Sequence, residues 1–258
     1  MAKDAKKTLP KFTSPRLVFV YPKLTEPDYG NDKFPKPDGE YSVKGKLSLE
    51  EAEEFAARKV NGVSLNDLYE QAQRDAEQAY AELDVKTRKA NEKKGITGPV
   101  MNPMFETLYD KETEEETGEV TFKFTKKASG VIKNGPRKGK PWSAKPDIYD
   151  ARGNLMKGKL PNIWGGTEGR ISFSVSSYFI PGTAAAGLKF MLDGAQVIDL
   201  VSNGSRSAES HGFGAEDDGY SYDPSEFQDE TDDDTGIVGS SRSTDELLGR
   251  EVAGEDDF

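Results

Sequence analysis

Charge divides this chain into a part that can fold and a part that cannot. Residues 207–258 hold 17 Asp/Glu against 2 Lys/Arg and few large apolar side chains. So much charge on so little apolar surface cannot offset the entropy of ordering a chain, so this segment is predicted to be a disordered acidic tail. Any fold must come from residues 1–206, which carry 33 Lys/Arg against 29 Asp/Glu. The net charge of −11 therefore hides a mildly basic body. An acidic tether can mimic a polyanion and occupy the same basic groove as a nucleic acid; a purely solubilising tail is the other reading. The absence of cysteine excludes disulfides, thiolate metal sites and cysteine nucleophiles. His211, the sole histidine, sits beside the tail, so no metal site of Cys and His is expected, and no cofactor. No apolar run approaches 18 residues, and residues 1–10 hold lysines but no apolar core, so neither a membrane span nor a secretory signal is expected.

The body alternates short apolar runs with turn residues. A polar, Lys-rich arm is expected over 1–15, followed by a strand at 16–21. A loop is predicted for 22–38, with prolines at 22, 27, 35 and 37. Residues 39–47 alternate Tyr41, Val43, Gly45 and Leu47 as a strand does. Ser48-Leu49-Glu50-Glu51 is a capping box opening a helix to about Val60. After Asn61-Gly62, a second helix runs from Ser64 to about Lys93. Its apolar stripe (Leu65, Leu68, Tyr69, Ala72, Ala76, Ala79, Tyr80, Leu83) is expected to pack as core against a sheet, a partner-binding face being the other reading. Residues 95–118 read as loop, 119–125 as a strand, 126–145 as a basic Gly/Pro-rich loop, 146–151 as a strand and then turn, and 170–179 and 188–200 as two further strands. Five or six strands with a helical hairpin at about 48–94 make a mainly β chain. The expected fold is an OB-like barrel over 16–206 with an inserted helical pair.

No catalytic motif is present. Gly135 to Lys140 lacks the spacing of a P-loop, and the glycines at 165–169 precede no helical pattern. The stronger signal is basic residues interleaved with aromatics. Lysine neutralises phosphate, while an aromatic face stacks on an unpaired base. Lys123, Lys126, Lys127, Trp142, Tyr178 and Phe179 are the candidate contacts. Phe122 and Phe124 share one strand face and are assigned to the core, and Trp164 to the core's edge.

Several segments together resemble the single-stranded DNA-binding protein of short-tailed, autographivirus-type bacteriophages. They are Lys36-Pro37-Asp38-Gly39-Glu40-Tyr41, Thr121-Phe122-Lys123-Phe124, Asp150-Ala151-Arg152-Gly153-Asn154, Pro161-Asn162-Ile163-Trp164-Gly165-Gly166, the run 170–200 and the terminal Asp257-Phe258. The resemblance implies an OB-fold that binds single-stranded DNA (ssDNA) without sequence preference, with no enzymatic activity of its own. It implies a homodimer whose tails cover the partner's DNA groove, working in replication, recombination, repair and annealing in the host cytoplasm. Through Glu255, Asp256, Asp257 and Phe258 it implies contacts with the phage DNA polymerase and helicase-primase. The family's groove tyrosine falls on Tyr178. A second family lysine is Thr125 here, and a family tryptophan is Ile180. A structural or virion protein using the acidic tail as a partner handle is the alternative.

Overall fold

The computed structural model describes residues 9–202. The acidic tail, with the expected partner contacts Glu255, Asp256, Asp257 and Phe258, lies outside the described residues.

Five long strands build the fold: β2 (Leu17–Gly30), β3 (Pro35–Ser48), β6 (Glu116–Lys127), β10 (Glu168–Ile180) and β11 (Ala185–Asp199). Successive neighbours are β10, β2, β3, β6 and β11, and β11 pairs back onto β10, closing a barrel. Every barrel pairing is antiparallel except β6 with β11. This is the strand order of an OB barrel, as the alternation leads one to expect. Inward residues on β6 and β10, Phe122, Phe124, Ile171, Phe173 and Val175, are buried. The phenylalanines pack at offset angles around the Phe124–Phe173 pair, whose centroids are 4.9 Å apart.

Ser48 caps α1 (Leu49–Ala57) in the expected capping box with Glu51. Phe55 on α1 meets Phe122 and Phe173 edge-on, so the helix plugs one barrel end. Ser64 and Asp67 form a second capping box on α2 (Leu65–Ala81). Leu65, Ala72, Ala76 and Tyr80 of the predicted stripe are buried, Leu83 falls past the helix's end, and α2 packs on β10 and β11. The helix expected to reach Lys93 is divided, however. Asp84 accepts a bond from the Thr87 N–H and starts α3 (Val85–Glu92), a local capping bond that competes with helix continuation. α3 is anchored through Asn91, whose side-chain amide donates to the Pro181 carbonyl in the β10–β11 turn at 2.9 Å.

Four expectations give way to tertiary pairing. The proline-rich stretch 22–38 is largely strand, β2 and β3 pairing there in an irregular register. Pro22 and Pro27 fall where that register slips, between Val20 and Lys23 and between Lys23 and Asp28, so neither sits opposite a regular ladder partner. The end of the arm is ordered as β1 (Lys11–Thr13), which pairs with β10 so that Phe12 stacks on Phe173. Residues 95–118 contain β4 (Val100–Met101), parallel to β11, and β5 (Glu106–Tyr109), antiparallel to β6. Both are too short to show alternation. The basic loop is a hairpin of β7 (Ser129–Val131) and β8 (Pro141–Ser143), and β9 (Asp147–Tyr149) runs parallel to β11. No described helix is long and apolar enough to cross a membrane.

Candidate nucleic-acid interface

Strand register assembles the site. Lys44 on β3 faces Lys123 on β6, and Phe124 faces Phe190 on β11. One residue back along both β6 and β11, Lys123 and Lys189 are therefore neighbours. Phe124 and Phe190 point into the core, so these lysines point out. The result is a transverse row, Lys44–Lys123–Lys189, across three strands of the barrel's outer face. Like charges on one rung repel. Lys44 escapes by leaning across β6 to Glu106 on β5, at 2.6 Å. That bridge passes above Thr121, which is 2% exposed and whose hydroxyl has no hydrogen-bond partner among the described residues. Lys123 and Lys189 are exposed and have no ion-pair partner among the described residues.

Beside this row runs a groove of about 510 Å³. It is lined by Thr121, Lys123 and Thr125 of β6, Leu188 and Lys189 of β11, Tyr178 of β10, and Met104 to Glu106. Tyr178 lies on the outward side of β10 and is half-buried. Its hydroxyl accepts a 2.7 Å bond from the Asn102 side-chain amide. Opposite it stands Gly187, where a Cβ would come within 3.1 Å of the phenol oxygen. The missing side chain makes room for the ring to settle against β11. Burial, and then the nearby Tyr178 phenol, push the Tyr69 phenol of α2 up from its ordinary pKa. A cation row beside a held aromatic can neutralise phosphates and stack a base.

The expected residues divide. Lys123 and Tyr178 share the groove. Phe179, on the other side of β10, is half-buried at the barrel end. Lys126 faces Tyr41 on the inward side of β6 and is half-buried. Lys127 reaches Asp38 at 2.8 Å. Trp142 lies on β8, its ring packed on Gly130, where a Cβ would come within 2.9 Å of the indole. Lys133, Arg137, Lys138 and Lys140 are exposed at the tip of that hairpin. Trp164, assigned to the core's edge, is instead 48% exposed. Sequence reasoning did not single out Lys44, Lys189, Glu106 and Asn102. Alternation alone places Lys44 and Lys189 on outer faces, but only the register sets them beside Lys123.

The family profile described as the single-stranded DNA-binding protein of bacteriophage T7 matches residues 18–200. Comparison with curated protein sequences finds no match. The fold is similar to the crystal structure of gp2.5, a single-stranded DNA-binding protein encoded by bacteriophage T7. That match has a TM-score of 0.52 and 20% identity, and covers 84% of this chain and 100% of that one. A C-terminally truncated single-stranded DNA-binding protein from bacteriophage Enc34 gives a TM-score of 0.42 at 12% identity, over 78% of this chain and 98% of that one. The same Enc34 protein in complex with ssDNA gives 0.41 at 10%, over 77% and 98%. Each of these is described as a single-stranded DNA-binding protein. With the profile spanning the whole barrel, from β2 to the end of β11, this chain belongs to the family of the bacteriophage T7 single-stranded DNA-binding protein.

Proposed function

We propose that the chain binds ssDNA without sequence preference, laying it in the groove beside the Lys44–Lys123–Lys189 row. One observation carries the reading: two exposed lysines without ion-pair partners among the described residues flank a groove that also holds the Tyr178 ring. Backbone phosphates meet Lys123 and Lys189, and a base stacks on Tyr178. Neither contact distinguishes one base from another. The hairpin tip with Lys133, Arg137, Lys138 and Lys140, near Trp142, extends the phosphate path together with Lys126 and Lys127 at the end of β6, while Phe179 offers an apolar contact at the other end of the barrel. Replication, recombination, repair and strand annealing, the homodimer, and recruitment of a phage polymerase and helicase-primase through Glu255, Asp256, Asp257 and Phe258 belong to the same proposal. The family membership and the tail's net charge of −15 support it.

Oligo-dT titration at two salt concentrations tests the groove. Affinity falls with salt by roughly 0.7 log units per log unit for each phosphate contacted. Lys123→Ala and Lys189→Ala each make that slope shallower by about one contact, and Tyr178→Ala loses roughly 1–3 kcal/mol of binding with the fold retained. Salt-independent binding would remove the groove from consideration.

A further inference from the structure

A second, larger cleft of about 840 Å³ lies on the same outer surface. Its walls come from β2 (Val18 to Glu26), from Lys46, Leu108 and Glu119, and from the turn that carries Trp164. Two large aromatics stand open in it: Tyr21 is 80% exposed and Trp164 48%.

Neither is a casual surface residue. The β2–β3 register slips between Val20 and Lys23, so β2 bulges there. Tyr21 sits in the bulge at φ 48°. A left-handed backbone is costly for a bulky residue, and a following proline disfavours it further. Strain of this kind persists only where the surroundings impose it, and a bulge is a device for re-aiming a side chain. Here it turns the phenol out into the cleft.

Trp164 is held from both sides. Its own N–H donates to the Val201 carbonyl at 3.0 Å, and the Gly166 N–H donates to the Phe19 carbonyl at 2.9 Å. Thr167 fastens the turn further, its hydroxyl accepting from the Val201 N–H at 3.0 Å. A ring carried on a turn whose backbone is fixed in this way, and half open to water, is partly pre-organised for something to stack on it.

The cleft continues the groove. Lys46 lines the cleft, and Thr121, directly across the β3–β6 ladder from it, lines the groove. Leu108 and Glu106, two residues apart on β5, line the one and the other, so the two spaces are separated by about 7 Å along the strand. The Lys44–Glu106 bridge is the ridge between them.

We infer that Trp164 and Tyr21 form a second base-stacking subsite, so that ssDNA leaving the Tyr178 groove crosses the Lys44–Glu106 ridge and places a further base here. The inference rests on the groove reading above. Lys46 and Lys23 supply positive charge beside the rings, while Lys46 is partly held by Glu119 at 2.7 Å. The contribution here is therefore mainly stacking, with little added salt dependence.

The test uses the full chain and two oligo-dT lengths, roughly 4 and roughly 16 nucleotides, the limits of site size for one OB-fold. In the Trp142→Phe protein, Trp164 is the sole tryptophan and reports by its own fluorescence. The long oligomer should quench it and the short one should not. Trp164→Ala should weaken the long oligomer roughly 5- to 100-fold and leave the short one unchanged. Trp164→Phe and Tyr21→Phe should keep most of the affinity, and a Tyr21→Ala protein, whose fold does not depend on the Trp164 turn, should repeat the Trp164→Ala pattern. Tight long-oligomer binding with unquenched Trp164 and no effect of either alanine variant overturns the subsite and leaves the groove standing. Quenching that survives while Tyr178→Ala changes nothing overturns the groove and leaves the stacking subsite. Failure of both oligomers to bind removes both.

Discussion

Glu106 is an acid placed among bases. It holds Lys44 at 2.6 Å and stands in the groove where a phosphate would pass. Being more than one-third exposed, the pair contributes little to stability, so its main consequence is for binding. Glu106→Gln should free Lys44 and remove a repulsive charge. Affinity for oligo-dT should rise severalfold at low salt, with the salt slope steeper by roughly 0.7 for one added phosphate contact. An unchanged slope would mean Lys44 never reaches DNA. Tyr178→Phe keeps the stacking face but loses the bond from Asn102. Binding should hold within about tenfold, since one exposed hydrogen bond is worth on the order of 0.5–1.5 kcal/mol at most. A loss as large as that of Tyr178→Ala would mean that the hydroxyl, and not the ring, carries the contact. At this scale Lys123 was legible, because the Phe122-Lys123-Phe124 alternation puts it outside. Lys189 and Lys44 share that alternation, but nothing local marks them as its neighbours.

At the scale of elements, the helical insertion was legible from its caps. Ser48 with Glu51 and Ser64 with Asp67 close the boxes the sequence announces. The Asp84 cap was missed because the Lys/Arg-rich residues 86–94 read as the basic C-terminal turns of a single helix reaching Lys93. Bonds from the Thr87 hydroxyl and then the Thr87 N–H hold the Asp84 carboxyl below its ordinary pKa of 3.8. A depressed folded pKa gives stability that is present above the unfolded value and lost as pH falls through the folded one. Helix content followed by circular dichroism should therefore drop on acidification below about pH 4. Asp84→Asn keeps a capping side chain but cannot titrate, so its acid limb should be flatter. Identical acid limbs would show that the cap does not control the helix. Ser64→Ala should cost about 1 kcal/mol in thermal unfolding at neutral pH.

For the whole molecule, the decisive contrast is a +4 body tethered to a −15 segment. A tether keeps the tail's local concentration on the order of mM, enough to compete for a basic groove. Removing residues 207–258 should tighten ssDNA binding, most strongly at low salt where screening is weakest. Equal affinities for full-length and truncated protein would end the competition argument. Phe258→Ala, by contrast, should leave ssDNA affinity of the body nearly intact and weaken capture of the polymerase and helicase-primase in a pull-down. Equal recovery of both partners by the two proteins would remove Phe258 as a partner contact.

By itself the sequence determined what depends on neighbours in the chain: the charge division, the strand alternation, two helix caps and the outward face of Lys123. It could not settle the proline-rich stretch 22–38, because proline is excluded only from a regular ladder, and where the β2–β3 register slips is set by how those two strands pair. Nor could it place Trp164, whose exposure follows from a turn fastened to Phe19 and Val201, distant in sequence. The lysine row likewise exists only through register, since three residues far apart in the chain meet when β3, β6 and β11 close the barrel. Backbone pairing between distant strands is what tertiary structure alone decides, and both the groove and the cleft beside it are made of that pairing.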